Sequence, residues 1–192
     1  MISAILLAAG QSKRMVDENK LLKKYKGLPL IKHSIQNILN SSIDELIIVL
    51  GHQKEVIKKN IETNKKIKFL YNPNFKNGIA SSIKVGLSNL NKDTEAFFIC
   101  LGDMPNVSKD IYNKLIKEKF KNKDKEIYVP FYEGKQANPI LFSISMRQKL
   151  QEIEGDIGAR KIIADNEEKV SKLTIKEKGI IIDFNKIDDF EF

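Results

Sequence analysis

Residues 5–15 read Ile5-Leu6-Leu7-Ala8-Ala9-Gly10-Gln11-Ser12-Lys13-Arg14-Met15, and Lys20 follows after a short polar stretch. An apolar strand runs into a turn of very small residues that carries cations. Ala8, Ala9 and Gly10 would let a ligand approach the main chain and take hydrogen bonds from consecutive N–H groups, Ser12 included. Arg14 adds a planar fork of donors and Lys20 a point charge, the two usual grips on phosphate oxygens. The pattern describes a place for a triphosphate. A tight strand-to-loop turn bearing solvated cations is the plainer alternative.

A second apolar run, Ala96-Phe97-Phe98-Ile99-Cys100-Leu101, ends in Gly102-Asp103-Met104-Pro105. A carboxylate just past a buried strand suits Mg²⁺, which takes one or two carboxylates together with phosphate oxygens and water. In an open α/β sheet ligands bind beyond the carboxyl ends of the strands, where Gly10 and Asp103 would both lie. A turn-forming or helix-capping aspartate is the competing explanation.

Three further groups of residues belong with these. Asn72-Pro73-Asn74-Phe75-Lys76-Asn77-Gly78 precedes Ser81, Ser82 and Gly86. It forms a loop and helix start that could contact a base or ribose through Asn72, with an anion at the first turn. Gly155-Asp156-Ile157-Gly158-Ala159-Arg160 could meet an anionic second substrate through Arg160, or be a capped helix start. Asp183 closes an Ile-rich segment, and either it or Asn185 could complete a metal shell opposite Asp103; a solvated acidic tail is the alternative. His33 and His52 lack the partner spacing of a triad or a metal cluster and are expected to be structural or exposed.

The elements that must position these groups alternate. Strands are expected at 2–7, 46–50, 68–71 and 96–101, and helices at about 30–40, 53–62, 79–90 and 109–125. Buried apolar strands separated by amphipathic helices predict a mostly parallel sheet covered on both faces. In the helix after Asp103, Ile111, Tyr112, Leu115, Ile116 and Phe120 form the apolar stripe while lysines take the other faces. Further on, Ile127–Tyr132 and Asn138–Phe142 read as strands around a Gly134 turn. A helix at Met146, Leu150 and Ile153 and strands near 169–174 and 179–183 complete the pattern.

The chain has 192 residues, 42% of them hydrophobic and 30% charged, which suits one globular domain. We expect a single domain over 1–192, with a nucleotide-binding part at about 1–107 and an acceptor-binding part at about 108–192. No run reaches the roughly 18 apolar residues of a membrane span, and no secretory leader is seen. The single cysteine, Cys100, lies in an apolar strand and reads as a buried small hydrophobe. A cytoplasmic location and no membrane partner are expected. The net charge of +8 would favour an anionic small substrate. It also keeps open a nucleic-acid- or nucleotide-binding module, although no zinc spacing, RNA-binding signature or aromatic-interleaved basic segment supports one.

Taken in order, these motifs resemble the MobA-like nucleotidyltransferases, most closely the molybdenum cofactor cytidylyltransferases. The family pattern Leu-Ala-Ala-Gly-x-Ser-x-Arg-Met-Gly is matched from Leu7 to Met15, with Lys20 in the place of the phosphate-binding lysine. Asn72 to Gly86 resembles its second loop and Gly102-Asp103-Met104-Pro105 its metal motif. Asn138-Pro139-Ile140-Leu141-Phe142 and the Asp156 to Arg160 segment resemble its acceptor-side motifs. The resemblance implies a three-layer α/β/α, Rossmann-like fold of the nucleotide-diphospho-sugar transferase type. It also implies Mg²⁺-dependent transfer of a nucleotide monophosphate from CTP to the phosphate of the molybdopterin cofactor, with release of pyrophosphate. Leu7, Ala8, Ala9, Gly10, Ser12, Arg14, Lys20, Asn72, Gly78, Ser81 and Ser82 would hold the nucleotide. Asn138, Asp156 and Arg160 would hold the acceptor, and Asp103 and Asp183 the metal. A molybdoenzyme or its chaperone is a further partner in that picture. Guanylyl-transferring relatives usually have Gly-Gly in place of Ala8-Ala9, and two methyl groups should crowd a purine more than a pyrimidine. A GTP-dependent guanylyltransferase and a sugar-phosphate nucleotidyltransferase are the alternatives. Val16, Gln136-Ala137 and the segment from Asp183 to Asp189 depart from the family pattern, mostly on the acceptor side.

Overall fold

A computed structural model describes residues 1–11, 19–156, 158–184 and 189. Its strands are β1 (Ile2–Ala8), β2 (Lys24–Tyr25), β3 (Leu28–Pro29), β4 (Glu45–Leu50), β5 (Ile67–Tyr71), β6 (Ala96–Leu101), β7 (Ile127–Tyr132), β8 (Lys135–Gln136), β9 (Ile140–Ser143) and β10 (Val170–Thr174). The helices are α1 (Leu30–Leu39), α2 (Lys54–Lys59), α3 (Ile79–Ser88), α4 (Lys109–Lys121), α5 (Arg147–Gln151) and α6 (Arg160–Ala164).

β1 is buried along its whole length because both of its faces are covered. Side chains alternate across a strand, so the central sheet separates two apolar layers. Ala4, Leu6, Leu46, Ile48 and Phe98 pack with Ile31, Ile35 and Ile38 of α1 and with Ile111 and Leu115 of α4. Ile5, Leu7, Ile47, Val49 and Phe97 pack on the other face with Ile83 and Leu87 of α3, Leu150 of α5 and Ile163 of α6. This is the three-layer α/β/α arrangement.

One eight-stranded sheet runs in the order β10-β7-β9-β6-β1-β4-β5, with β8 paired to β7. The β1–β4, β4–β5, β1–β6 and β7–β10 pairs are parallel, and β9 runs antiparallel to both β6 and β7. The chain lays down β1, steps outward through β4 and β5, and returns to place β6 on the other flank of β1. The order therefore reverses between β1 and β6, and a switch of this kind opens a crevice beyond the carboxyl ends of the two strands. Their register ends with Leu7 opposite Leu101, which sets Ala8–Gly10 beside Gly102–Asp103.

Most expected elements are found, with local corrections. The hairpin turn at Glu133 and Gly134 takes left-handed φ values of 47° and 76°, as a two-residue primed turn requires. The strand expected near 179–183 is instead a 3₁₀ turn, Lys178–Ile181. There Gly179 packs against the backbone of Asn106 so closely that an added Cβ would lie 2.3 Å from its carbonyl oxygen, and the chain has left the sheet ladder. Phe120 is exposed rather than part of the apolar stripe of α4, whose buried residues end at Ile116. Cys100 is buried, and burial pushes its thiol up, out of the reactive range. No helix among the described residues is long and apolar enough to cross a membrane.

Candidate active site

Three segments converge beyond the carboxyl ends of β1 and β6. The first is the end of β1. Leu7 O accepts from Gly102 N at 3.1 Å, and Ala9 O accepts from His52 N at 3.2 Å. Gly51 packs so tightly on Ala9 and Phe75 that an added Cβ would approach both within 2.8 Å. A side chain at Gly51 would push apart the β1 turn and the loop that follows β5. Gly10 differs. It is exposed, and a Cβ added there meets nothing within 4 Å among the described residues. The φ of Gly10 is not left-handed, so the backbone conformation alone does not require glycine there. Ser12 and Arg14 lie outside the described residues.

The second segment is the 3₁₀ turn Lys20–Leu22. Asn19 starts it, with its side-chain oxygen accepting from Leu21 N at 3.1 Å. Leu21 is buried beneath Gly102, its Cδ2 only 3.3 Å from where a Cβ would sit. That packing aims Lys20 back at the third segment, where Nζ of Lys20 lies 2.5 Å from Oδ2 of Asp103. The two side chains are 19% and 17% exposed, so the pair is shielded yet open to a ligand from one side.

The chain's C-terminal part returns to the same place. Phe184 N donates to Asp103 O at 3.0 Å, which brings the exposed Asp183 to the end of β6. Asn185 and Asp188 lie outside the described residues. No cluster of three His, Cys, Asp or Glu side chains capable of holding a metal occurs among the described residues. A divalent cation at Asp103 would therefore take most of its oxygens from a bound nucleotide and water, as Mg²⁺ commonly does. The Asp103 carboxylate at the end of β6 is of the donor type that suits such an ion.

The loop after β5 is tied up internally. Asn72 is buried; its Nδ2 donates to Ser81 Oγ at 2.8 Å and to Ser82 Oγ at 2.9 Å, while Oδ1 accepts from Asn74 N. Asn72 is thus placed to shape the loop more than to read a base. The expected anion site at the start of α3 is filled by the chain itself. Ile79 N donates to Asp156 Oδ1 and Ala80 N to Gly155 O, each at 3.0 Å, and Ser81 N turns back to Gly78 O. Gly78, at φ 93°, has no room for a Cβ, which would meet Gly155 O at 2.5 Å. Asp156→Ala is accordingly expected to cost about 1 kcal/mol through the lost cap. Thermal unfolding should show this as a fall of roughly 2–4 °C in Tm.

Asn138 is tied by its backbone N–H to Ile180 O at 3.2 Å, so it borders the returning C-terminal segment. Arg160, the first residue of α6, is exposed and makes no ion pair among the described residues. His33 donates from Nε2 to Tyr25 O at 2.7 Å, a structural role, and His52 is half-buried near the Phe75 ring. Sequence reasoning passed over Asn19, whose Nδ2 is buried with no hydrogen-bond partner among the described residues, and Phe184, which is buried and donates its N–H to Asp103 O. The Asn19 side-chain oxygen two residues before the Leu21 amide is a local capping signal. Phe184 offered none, since its seat is built by residues far away in the chain.

Comparison with known proteins agrees with this geometry. The MobA-like NTP transferase domain matches residues 4–170. The molybdenum cofactor cytidylyltransferase of Escherichia coli is 26% identical over 98% of this chain and 93% of its own length. A probable molybdenum cofactor guanylyltransferase of Methanosarcina acetivorans is 30% identical over 79% of this chain and 67% of its own. The bifunctional protein GlmU of Caldicellulosiruptor saccharolyticus is 31% identical over 60% of this chain, but the match spans only 25% of GlmU. Among solved structures, Rv0371c of Mycobacterium tuberculosis superposes with a TM-score of 0.87 at 23% identity, covering 98% of this chain and 95% of its own. The same protein has been solved as a complex with manganese, with a TM-score of 0.82 at 21% identity and coverage of 98% and 95%. The fold is that of the nucleotide-diphospho-sugar transferases.

Proposed function

The chain belongs to the MobA-like NTP transferase family and is a nucleotidyltransferase, and from that premise we propose that it moves CMP from CTP to the terminal phosphate of a molybdopterin-type acceptor, releasing pyrophosphate. The observation that carries this reading is the 2.5 Å contact between Lys20 and Asp103. It joins an anion-binding turn and a metal-binding carboxylate at one topological switch point.

The acceptor phosphate is already anionic at neutral pH, so no general base is required. One of its oxygens attacks the α-phosphorus, and the bond from that phosphorus to the bridging oxygen of the β-phosphate breaks. Such chemistry depends on positioning and charge neutralisation. Gly10 lets the phosphates approach the backbone. Lys20 leaves Asp103 for the β- and γ-phosphates, where it offsets charge growing on the leaving pyrophosphate. Arg14 and the amides up to Ser12 serve the same end. Asp103, with Asp183, would hold a divalent cation, which would supply charge neutralisation at the phosphates. Asn72, Gly78, Ser81 and Ser82 shape the nucleotide loop, Asn138 and Arg160 border the acceptor, and Asp156 caps α3.

A GTP-dependent reading is kept by one structural observation. The methyl of Ala8 lies in the core and Ala9 packs against Gly51, so neither methyl is turned to crowd a purine as expected. The choice of CTP therefore leans on the near full-length similarity to the cytidylyltransferase. Pyrophosphate release should be measured with Mg²⁺, molybdopterin cofactor and each of CTP, GTP, ATP and UTP. CTP is expected to turn over fastest; a faster rate with GTP would select the second reading. No release with any nucleotide would sink both.

A further inference from the structure

The sheet ends at β5, whose far side has no strand partner among the described residues. Its pairing with β4 is parallel, and the even-numbered positions carry the ladder: Leu46 N donates to Lys66 O, and Asn72 N donates to Leu50 O. Alternate residues of a strand bond to opposite sides, so the main-chain N–H and C=O groups of Phe69 and Tyr71 face away from β4. Such an edge is a template for another strand. Lys54 and Lys58, one helical turn apart on α2, lie over the rings of Tyr71 and Phe69, with Nζ 3.7 and 5.6 Å from the centroids. Neither lysine has a carboxylate partner among the described residues. Tyr71 is 45% exposed and Val56 of α2 48%, so the rim beside the edge is apolar as well as basic. From Lys54 to Tyr71 six lysines stand against two glutamates, and one of these, Glu62, is paired with Lys32.

We propose that the β5 edge is a docking site for an extended acidic segment of a partner protein, which joins the sheet as a further strand beside Phe69 and Tyr71. Main-chain hydrogen bonds give such a strand its hold, and alternate side chains its specificity. Side chains two apart on a strand share a face. Phe69 packs with Ile57 and Ile61 on the face that α2 covers, and Tyr71 shares that face. The ammonium groups above the two rings are therefore spaced for carboxylates at alternate positions of the incoming strand. Cation–π attraction already holds them at the rim, which lowers the cost of ordering them in a complex. Charge decides between occupants. A second copy pairing antiparallel about a twofold axis would set its own Lys54 and Lys58 on the same face, where like charges oppose it. Lysine beside an edge strand commonly guards against self-pairing in this way. An acidic strand turns the same charges into attraction.

The test uses the full chain and a fluorescein-labelled peptide that alternates glutamate and valine. A peptide of the same composition arranged in blocks, and one that alternates lysine and valine, serve as comparisons. Fluorescence anisotropy should rise with the alternating acidic peptide and much less with the other two. Hydrogen exchange, followed by nuclear magnetic resonance, should slow at the amides of Phe69 and Tyr71 when that peptide binds. Lys54→Glu combined with Lys58→Glu should weaken binding about 10-fold or more, since two exposed attractions become repulsions. The same variant should now bind the lysine peptide, which also shows that it folds. No binding of the alternating acidic peptide would overturn the proposal, as would binding without protection of residues 69 and 71, or binding indifferent to the charge reversal. Equal binding of a single-stranded oligonucleotide at these lysines would assign the patch to polyanions and overturn a strand partner. Protection of residues 69 and 71 without peptide, in a dimer seen by sedimentation, would assign the edge to a second copy instead.

Discussion

Asp103→Asn is expected to lower kcat by about 10²–10³-fold while leaving the protein folded, the scale of loss when one preorganised group that stabilises transition-state charge is removed. Asparagine preserves the size of the side chain and its capacity to accept from Lys20, so the Gly102–Asp103 turn keeps its shape. What disappears is the negative charge that would hold a divalent cation at the end of β6. The main-chain carbonyl that receives Phe184 N is untouched, so the C-terminal segment stays in place. Steady-state pyrophosphate release, with circular dichroism to monitor folding, checks the expectation. Near-normal turnover would remove Asp103 from the metal site. Raising Mg²⁺ should recover part of the lost rate, because mass action refills a site whose affinity for the cation has fallen.

Lys20→Ala carries the second large effect, a fall in kcat/KM of about 10²-fold or more, as expected for losing a cation that grips a transferring phosphoryl group. Its structural cost is smaller. The pair with Asp103 is neither fully buried nor freely exposed, so losing the lysine should cost about 1–2 kcal/mol, between the ranges for exposed and buried pairs. Lys20→Arg is not expected to restore activity in full, because a planar fork does not replace a compact ammonium in the same space. Combined with Asp103→Asn, the loss should fall well short of the product of the single effects, since both residues act on the same transferring group. Full multiplicativity would mean that they work independently and would contradict the shared site.

Much of this was legible in the chain because a parallel sheet covered on both faces needs long apolar strands. β1, β4 and β6 announce themselves as such runs, and the small or acidic residues that follow them fall at their carboxyl ends. The turn at Glu133-Gly134 was readable for the same local reason: a glycine between two strand-like segments tolerates left-handed φ. The misreadings arose where long-range packing outweighs local pattern. Ile180–Ile182 has the composition of a strand, yet no strand among the described residues offers it a ladder, and the chain there forms a 3₁₀ turn packed on Asn106. Asp156 looks like a ligand-facing carboxylate until its distance in sequence from Ile79 is seen to vanish in space. The methyl groups of Ala8 and Ala9 looked like a filter on the base, but which side of a strand end faces the core is set by the layers on either side.

Periodicity and residue types within short spans were enough to specify the layered α/β architecture, the small residues that follow β1 and the acidic residue beyond β6. Only the tertiary structure decided that Lys20 meets Asp103 and that Asp156 caps α3 across 77 residues of chain. Long-range packing likewise brings the Phe184 N–H to the Asp103 carbonyl. Those contacts join segments remote in sequence, and they exist only once the strand order places β6 beside β1 and burial holds each segment in register.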